Sequence, residues 1–471
     1  MISNRKQIAR YLIGDFISAN VAWCIFNVVR FSRFSYHIGT SSLKNFLLSE
    51  RVIEGQIFFP LMMMVLFYLS GYYNRPFFKS RLQELLSTVQ TIFISTLLAF
   101  FIALINDVMP FRSDNYLNLL ILFIIQFSCV YSVRLCITTQ ATHNIHHRKW
   151  SFNTLVVGCG ETAKELVDEL ERMKKSMGYH VVGYVRFTGE ADAPAIDKPV
   201  YDFDQLPSVC RQLDIKELII APDRTDLATL YQRINALYPL NLPIKIRIKE
   251  FNAITSRIRL TNIYATPLID ITSCAITDGG KNLKRCCDIL FSAIALLVLS
   301  PVFILLFVLI KCDSRGPIFY KQERIGYRHK PFFLYKLRTM YSDAEKNGPQ
   351  LSSEDDARIT PIGKYLRKYR LDELPQFWNV LKGDMSLVGP RPEREFYIRQ
   401  IVERAPYYSL LHQIRPGITS WGMVKFGYAK NVDEMIERLK YDMLYLENMS
   451  MLIDLKFIIY TVKTVITGKG M

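Results

Sequence analysis

Residues 289–310 read ILFSAIALLVLSPVFILLFVLI, with no charged side chain among them. That length matches the ~20 residues a helix needs to cross the hydrocarbon core of a bilayer. Pro301 sits near the middle, where it removes a backbone hydrogen bond and clashes with the preceding turn. Basic residues stand at both ends: Lys281, Lys284 and Arg285 before, Lys311, Arg315 and Lys321 after. A complete crossing carries its Lys/Arg excess on one side. Two folds fit this pattern. One is a kinked span, since proline is tolerated in membrane helices. The other is a helix–break–helix that enters and leaves the same leaflet, with the Ser300 hydroxyl serving the carbonyl that proline frees.

The rest of the chain supports a membrane setting. Half of its residues are hydrophobic, a high share beside 22% charged residues. Four more apolar runs, at about 11–29, 57–73, 85–105 and 117–137, are candidate spans. Asp15 interrupts the first, and the second is short. The first run lacks a small-residue cleavage site and is followed by further spans, so a cleaved leader is not expected. Arg5, Lys6 and Arg10 precede span one, Arg75, Lys79 and Arg81 separate spans two and three, and Arg134, at the end of span four, is followed by Arg148 and Lys149. The 106–116 loop has Arg112 against Asp107 and Asp114 and reads as outside. Both ends of the block are therefore placed inside. The net charge of +16 then belongs to inside loops and anionic lipid, and nucleic acid is not expected as a partner. Nine cysteines are scattered without CxxC pairs, which argues against a disulfide framework or zinc site and for a reduced, cytoplasm-facing protein.

TLVVGCG at 154–160, the helix-like ETAKELVDELERM and the strand-like YHVVGYVR at 179–186 form a βαβ pattern. Its Gly158-x-Gly160-x-x-Ala163 turn is similar to the dinucleotide fingerprint. Strand-like ELIIAP at 217–222, a helix near 226–238 and IKIRIKE at 244–250 extend an open α/β domain over about 152–265. Where a ribose-binding acid should end the second strand, the chain reads Arg186-Phe187-Thr188, with no carboxylate before Glu190. A structural or regulatory domain and a nucleotide-binding one both remain open.

Residues 311–340 hold eight Lys/Arg and two Asp/Glu, interleaved with aromatics, as suits a membrane surface or a polyanionic substrate. Lys336 and Arg338, in YKLRTM, are candidate phosphate contacts. Asp372 and Glu373 follow ARITPIGKYLRKYRL, which is expected to form a helix ending near Pro375, with the two acids projecting from its end in different directions. One carboxylate can attack phosphorus to give an acyl phosphate, and Mg2+ on one or two carboxylates would neutralise developing charge. A solvated acidic dipeptide is the plain alternative. Arg391 stands between Pro390 and Pro392 after Gly389, a stiff turn that suits a ligand-positioning cation.

Ser300-Pro301, KQERIG at 321–326, YKLRTM at 335–340, 356–392 (DARITPIGKYLRKYRLDELPQFWNVLKGDMSLVGPRP) and RPGITSWG at 415–422 together resemble the bacterial sugar transferase family. These are monotopic phosphoglycosyl transferases, and the resemblance covers essentially all of 281–471. The upstream segments resemble the long form, as in initiating enzymes of capsule, exopolysaccharide and O-antigen (lipopolysaccharide) synthesis. The resemblance implies that a UDP-sugar gives its sugar-1-phosphate to undecaprenyl phosphate, releasing UMP. It implies Asp372 as nucleophile and metal-linked carboxylate, with Glu373 assisting in proton handling or metal placement. Arg367 and Arg391 match phosphate-binding positions, Lys336 and Arg338 are plausible donor contacts, and Ser300-Pro301 marks a re-entrant helix.

The expected whole is a membrane protein of mixed class. A four-helix transmembrane block spans 1–150, a Rossmann-like α/β domain spans 151–270, and a mainly α catalytic domain spans 271–471 with its re-entrant helix at about 286–311. It would sit in the bacterial inner membrane, in contact with lipid, with the catalytic domain facing the cytoplasm and Mg2+ as cofactor. The long form suggests a homodimer. A nucleotide sensor or an assembly scaffold with an inactive C-terminal domain would share this architecture, but the intact Asp372-Glu373 pair and arginines favour an enzyme. The sugar is not legible.

His143, His146 and His147 have metal-compatible helical spacing without a carboxylate or cysteine nearby, and read as a juxtamembrane polar face. Cys286-Cys287 reads as apolar filler. The tail at 453–470 reads as an amphipathic helix, either packed on the catalytic domain or lying on the membrane.

Overall fold

The computed structural model describes residues 4–38, 42–77, 79, 81–104, 112–186, 197–222, 227–247, 268–270, 276–341, 344, 356–427, 429 and 431–466. Glu190, residues 248–250 and the end of the tail from 467 lie outside them. Four long helices come first: Asn4–Ile38, Glu50–Leu69, Arg81–Ala99 (continued by a π turn, Phe100–Leu104) and Arg112–His146. All four are long and apolar enough to cross a membrane. The second stops at Leu69, short of the expected 73, because Tyr72 and Tyr73 turn inward.

Asp15 is not a flaw in its helix. It lies inside the bundle, gripped by Arg134 from the fourth helix through Nε to Oδ1 (2.8 Å) and Nη2 to Oδ2 (2.6 Å). Tyr73 donates to Oδ2 of Asp15 (2.8 Å), and Arg134 Nη1 donates to Thr88 (3.0 Å). Glu84 accepts from the hydroxyls of Tyr72 and Thr138. The Lys79 ammonium lies over the rings of Tyr72 and Tyr11. Two acids and two bases thus share one buried site, with Arg134 fully enclosed. Outward, Ile13, Ile17, Ile57, Phe58 and Phe93 stay exposed, as lipid-facing positions should.

The turn after the second helix ties this block to the broken segment. Arg75 Nε pairs with Asp278 (2.9 Å), and Asn282 donates to the Tyr68 carbonyl (2.6 Å).

The middle of the chain forms one six-stranded sheet. In chain order its strands are β1 (Phe152–Val157), β2 (Tyr179–Arg186), β3 (Val200–Asp202), β4 (Glu217–Ile220), β5 (Ile244–Arg247) and β6 (Leu268–Asp270). Their spatial order is β3-β2-β1-β4-β5-β6, all parallel except β6, which is antiparallel to β5. Every residue of β4 is buried, as a central parallel strand requires. Gly158 has φ +129, and a Cβ there would lie 2.6 Å from the Ala221 carbonyl oxygen. The first glycine of the turn therefore serves close strand packing.

The broken segment forms two helical arms, Asp278–Val298 and Ser300–Asp313, bent by 60°. The Ser300 hydroxyl donates to the Leu297 carbonyl (2.7 Å), the group that Pro301 leaves without its helical donor. The apolar portions, 289–298 and 300–310, are each about 15 Å long at 1.5 Å per residue, roughly half a ~30 Å hydrocarbon core. Both outer ends join the same C-terminal unit. On the incoming arm, Lys284 binds Asp454 (2.6 Å) and the Val388 carbonyl (3.0 Å), Arg285 donates to the Val380 carbonyl (2.7 Å), and Asp288 accepts from Ser386 (2.7 Å). On the return arm, Arg338 donates to the carbonyls of Ser314 (2.6 Å) and Arg315 (3.0 Å).

That unit is mostly helical, with an antiparallel hairpin of β7 (Phe319–Ile325) and β8 (Pro331–Leu337) and a parallel pair of β9 (Ser386–Val388) and β10 (Gly417–Thr419). Its core gathers Tyr397, Ile398, Ile401, Leu439 and Tyr445. The last helix, Met451–Ile466, packs on this C-terminal unit: Asp454 is buried against Lys284, while Leu452, Leu455 and Ile459 remain exposed.

Removing one partner of a buried ion pair costs about 3–5 kcal/mol. Asp15→Asn is expected to lower the thermal unfolding midpoint in detergent strongly, and adding Arg134→Gln should recover much of the loss.

Candidate functional site

The site begins with a short helix, Pro361–Lys368, capped where the Gly363 amide donates to the Thr360 hydroxyl (3.0 Å). A Cβ on Gly363 would sit 2.1 Å from the Thr339 carbonyl oxygen, so glycine lets this helix lie directly on the end of β8. The helix does not continue to Pro375 as expected. Arg370 takes the left-handed conformation (φ 54), which breaks it, and Leu371–Glu373 form a 3-10 turn. Nor do the acids splay into solvent: Asp372 and Glu373 are 5% and 4% exposed.

Two adjacent buried carboxylates repel each other and lose hydration, so cations must compensate. Lys336 on β8 lies 3.0 Å from Glu373 Oε1 and 3.7 Å from Asp372 Oδ2. Arg391 Nη1 lies 3.5 Å from the same Glu373 oxygen. Compensation is unequal. Burial would raise the Glu373 carboxyl, but Lys336, Arg391 and Arg370 outweigh it and hold the group well below the usual range. Burial raises Asp372 and Glu373 adds to it; Lys336, Arg367 and Arg391 pull the other way without cancelling the rise. Asp372 Oδ1 is buried and has no hydrogen-bond partner. The turn thus presents one firmly ionised, paired carboxylate beside one more basic carboxylate with a spare oxygen.

Arg367 acts on Asp372 from the helix, its Nε fixed by the Thr339 hydroxyl (2.9 Å). Lys336, Arg367 and Arg391 therefore converge on the pair. Arg338 does not. Its guanidinium caps the return arm through the carbonyls of Ile310, Ser314 and Arg315, which corrects its expected place among the substrate contacts. Four hydrogen bonds, to the carbonyls of Ile310, Ser314 and Arg315 and the Ser314 hydroxyl, engage its guanidinium there.

Sequence reasoning also missed the platform beneath Arg391. Glu393, 4% exposed, accepts from Arg438 (2.5 Å) and from Arg324 Nη1 (3.0 Å), which also binds the Pro392 carbonyl (3.1 Å). Arg324 belongs to KQERIG, which had carried a resemblance but no role. Two arginines converging on the residue after Pro392 hold the proline turn in place.

Among the described residues, no group of three or more His, Cys, Asp or Glu forms a metal cluster. The donor set near the pair is two carboxylates, which suits a cation that completes its shell with phosphate oxygens and water.

Glu393→Gln is expected to lower the unfolding midpoint by the equivalent of about 3–5 kcal/mol. Arg399→Gln, which removes an exposed pair with Glu395, should cost less than about 1 kcal/mol in the same thermal melt.

Residues 280–468 match the family model described as bacterial sugar transferase. The chain is 37% identical over 247 residues to the UDP-N-acetylgalactosamine-undecaprenyl-phosphate N-acetylgalactosaminephosphotransferase of Aeromonas hydrophila, covering 52% of this chain and 57% of that protein. It is 33% identical over 304 residues to the UDP-glucose:undecaprenyl-phosphate glucose-1-phosphate transferase of Escherichia coli, covering 64% and 65%. Over 189 residues it is 39% identical to the uncharacterized sugar transferase EpsL of Bacillus subtilis, covering 40% of this chain and 89% of that protein.

Proposed function

The chain belongs to the bacterial sugar transferase family, and we propose on that premise that it transfers a sugar-1-phosphate from a UDP-sugar to undecaprenyl phosphate, releasing UMP. The observation that carries this reading is the unpartnered Oδ1 of Asp372 beside three converging cations. The relatives from Aeromonas hydrophila and Escherichia coli are named for this class of transfer, with N-acetylgalactosamine and glucose as their sugars.

Asp372 attacks the β-phosphorus of the donor. A carboxylate–phosphorus bond forms, the bond to the bridging oxygen breaks, and UMP leaves with that oxygen. An oxygen of undecaprenyl phosphate then attacks the phosphosugar, the bond to Asp372 breaks, and the carboxylate returns. A raised proton affinity favours Asp372 as nucleophile, because the more basic oxygen attacks better once ionised. Glu373, held ionised by Lys336 and Arg391, keeps those cations at the depth where the diphosphate binds. Arg367 and Arg391 orient the phosphate oxygens, worth most in a dry site. Arg338 acts at a distance, fixing β8 to the return arm. Asp372 and Glu373 would hold Mg2+, which supplies charge neutralisation on the diphosphate when bound.

The two arms of the broken segment serve this scheme as a re-entrant hairpin in the inner membrane, with the catalytic unit on the cytoplasmic side. Support comes from arms of half-membrane length whose outer ends are bonded to one unit. The acceptor's phosphate is confined to the headgroup plane, and such a hairpin holds the nucleophile at that plane. In this reading residues 1–150 anchor the chain, 151–270 form an accessory α/β domain and 271–471 perform the chemistry. The pathway served is surface polysaccharide synthesis.

The purified chain with Mg2+, a panel of UDP-sugars and undecaprenyl phosphate should release UMP. Asp372→Asn should reduce that release by at least ~10³-fold, as loss of a nucleophile does. Wild-type turnover in Asp372→Asn would refute the assignment. The raised Asp372 carboxyl also sets a pH dependence. Attack needs the ionised form, so the rate should fall with decreasing pH at values above the ordinary Asp range of ~3.9. Lys336 lowers the Asp372 pKa, so Lys336→Gln should move that acid limb further up. A pH–rate profile of UMP release reads both.

A further inference from the structure

The three histidines singled out in the sequence lie beside a second site. A cleft of about 350 Å³ is lined by Arg81, Thr139, Thr142, His143, His146 and Lys175. Every lining residue offers a cation, an imidazole or a hydroxyl, and none offers a carboxylate. The charges acting on the His146 ring are those of Lys175, His147, Arg81 and His143, all of one sign when charged. The His143 and His147 rings lie 4.2 Å apart between centres, tilted by 49°.

Three separate parts of the chain build this cleft. Arg81 begins the third long helix, Thr139–His146 form the last two turns of the fourth, and Lys175 comes from the segment before β2. That segment is pinned to the fourth helix, since the Ser176 amide donates to the His146 carbonyl (3.3 Å), and Ser176 Oγ accepts from the Gly178 amide (3.0 Å). The cleft therefore lies at the junction of the four-helix block and the sheet. The fourth helix has 35 residues, about 52 Å at 1.5 Å per residue against a ~30 Å hydrocarbon core. The helix is therefore longer than the core, and its C-terminal end leads directly into the sheet.

We propose that this cleft binds a phosphate group at the membrane surface, distinct from the Asp372 site. Arg81 supplies a planar fork for phosphate oxygens, Lys175 a point charge, and Thr139 and Thr142 neutral donors. The end of the fourth helix contributes about half a negative charge, which the two full cations outweigh. An anionic lipid headgroup and a soluble phosphate share this chemistry. Either would bridge the α/β sheet to the membrane block by occupying a junction where cations otherwise repel.

The test uses the full chain in phosphatidylcholine nanodiscs, with and without phosphatidylglycerol. Native mass spectrometry should find phosphatidylglycerol retained by the wild type and at least tenfold less by Arg81→Gln/Lys175→Gln, with inorganic phosphate failing to displace it. That outcome assigns a lipid source. If inorganic phosphate raises the unfolding midpoint of the wild type in phosphatidylcholine alone and leaves the double variant unmoved, the source is soluble. Equal lipid retention by both proteins, with no differential phosphate shift, overturns the proposal. Thr142→Val/His143→Gln serves as a second pair, so if one double variant misfolds the other still decides the question. UMP release by either variant should stay within twofold of wild type.

Discussion

Two acidic residues adjacent in sequence and both buried cannot stay ionised together without cations close by, and this constraint organises the C-terminal unit. Lys336 and Arg391 both approach Glu373, Lys336 lies at a longer distance from Asp372, and the charges of Arg367 and Arg391 also act on Asp372. Keeping them there requires β8, the proline turn and the short helix to hold fixed positions. Thr339 orients Arg367, and Glu393 with Arg324 and Arg438 holds the turn carrying Arg391. Much of the buried charge around the site has this purpose. The result is an unequal pair, in which Glu373 is saturated with partners and Asp372 keeps one oxygen unused.

The broken apolar segment is tied at both ends to the unit that carries that pair. Its arms leave and rejoin the same unit through Lys284, Arg285 and Asp288 at one end and Arg338 at the other. The four-helix block reaches the same segment through Arg75 and Asn282. A polar network buried among helices of membrane length, centred on the Asp15–Arg134 ion pair with Glu84 bonded to the Tyr72 and Thr138 hydroxyls, lies at the end of that block from which the contact is made.

Much of this was legible in the sequence where the signal was local. The proline in an uncharged run, the alternating strands and helices of the middle region, and the clamp around Arg391 are each short patterns with a direct physical meaning. What the sequence hid depends on distance or on single backbone angles. Asp15 read as an interruption and Arg134 as a loop charge because they meet across 119 residues. The left-handed Arg370 has no signature in YLRKYRLDE, yet it turns a helix end into a buried 3-10 turn. Arg338 shares a motif with Lys336, but its guanidinium is engaged by the return arm. Glu393 has no motif of its own, and its two arginines come from residues 324 and 438.

The central claim is that the unused oxygen of Asp372 becomes covalently bonded to phosphorus. Intact-protein mass spectrometry after mixing the purified chain with UDP-sugar and Mg2+, without undecaprenyl phosphate, tests it most directly. The account predicts an added mass equal to one sugar phosphate, located on Asp372 by peptide mapping, absent from Asp372→Asn and discharged when undecaprenyl phosphate is supplied. UMP release that proceeds only with acceptor present and leaves no adduct, or an adduct that persists in Asp372→Asn, would contradict it.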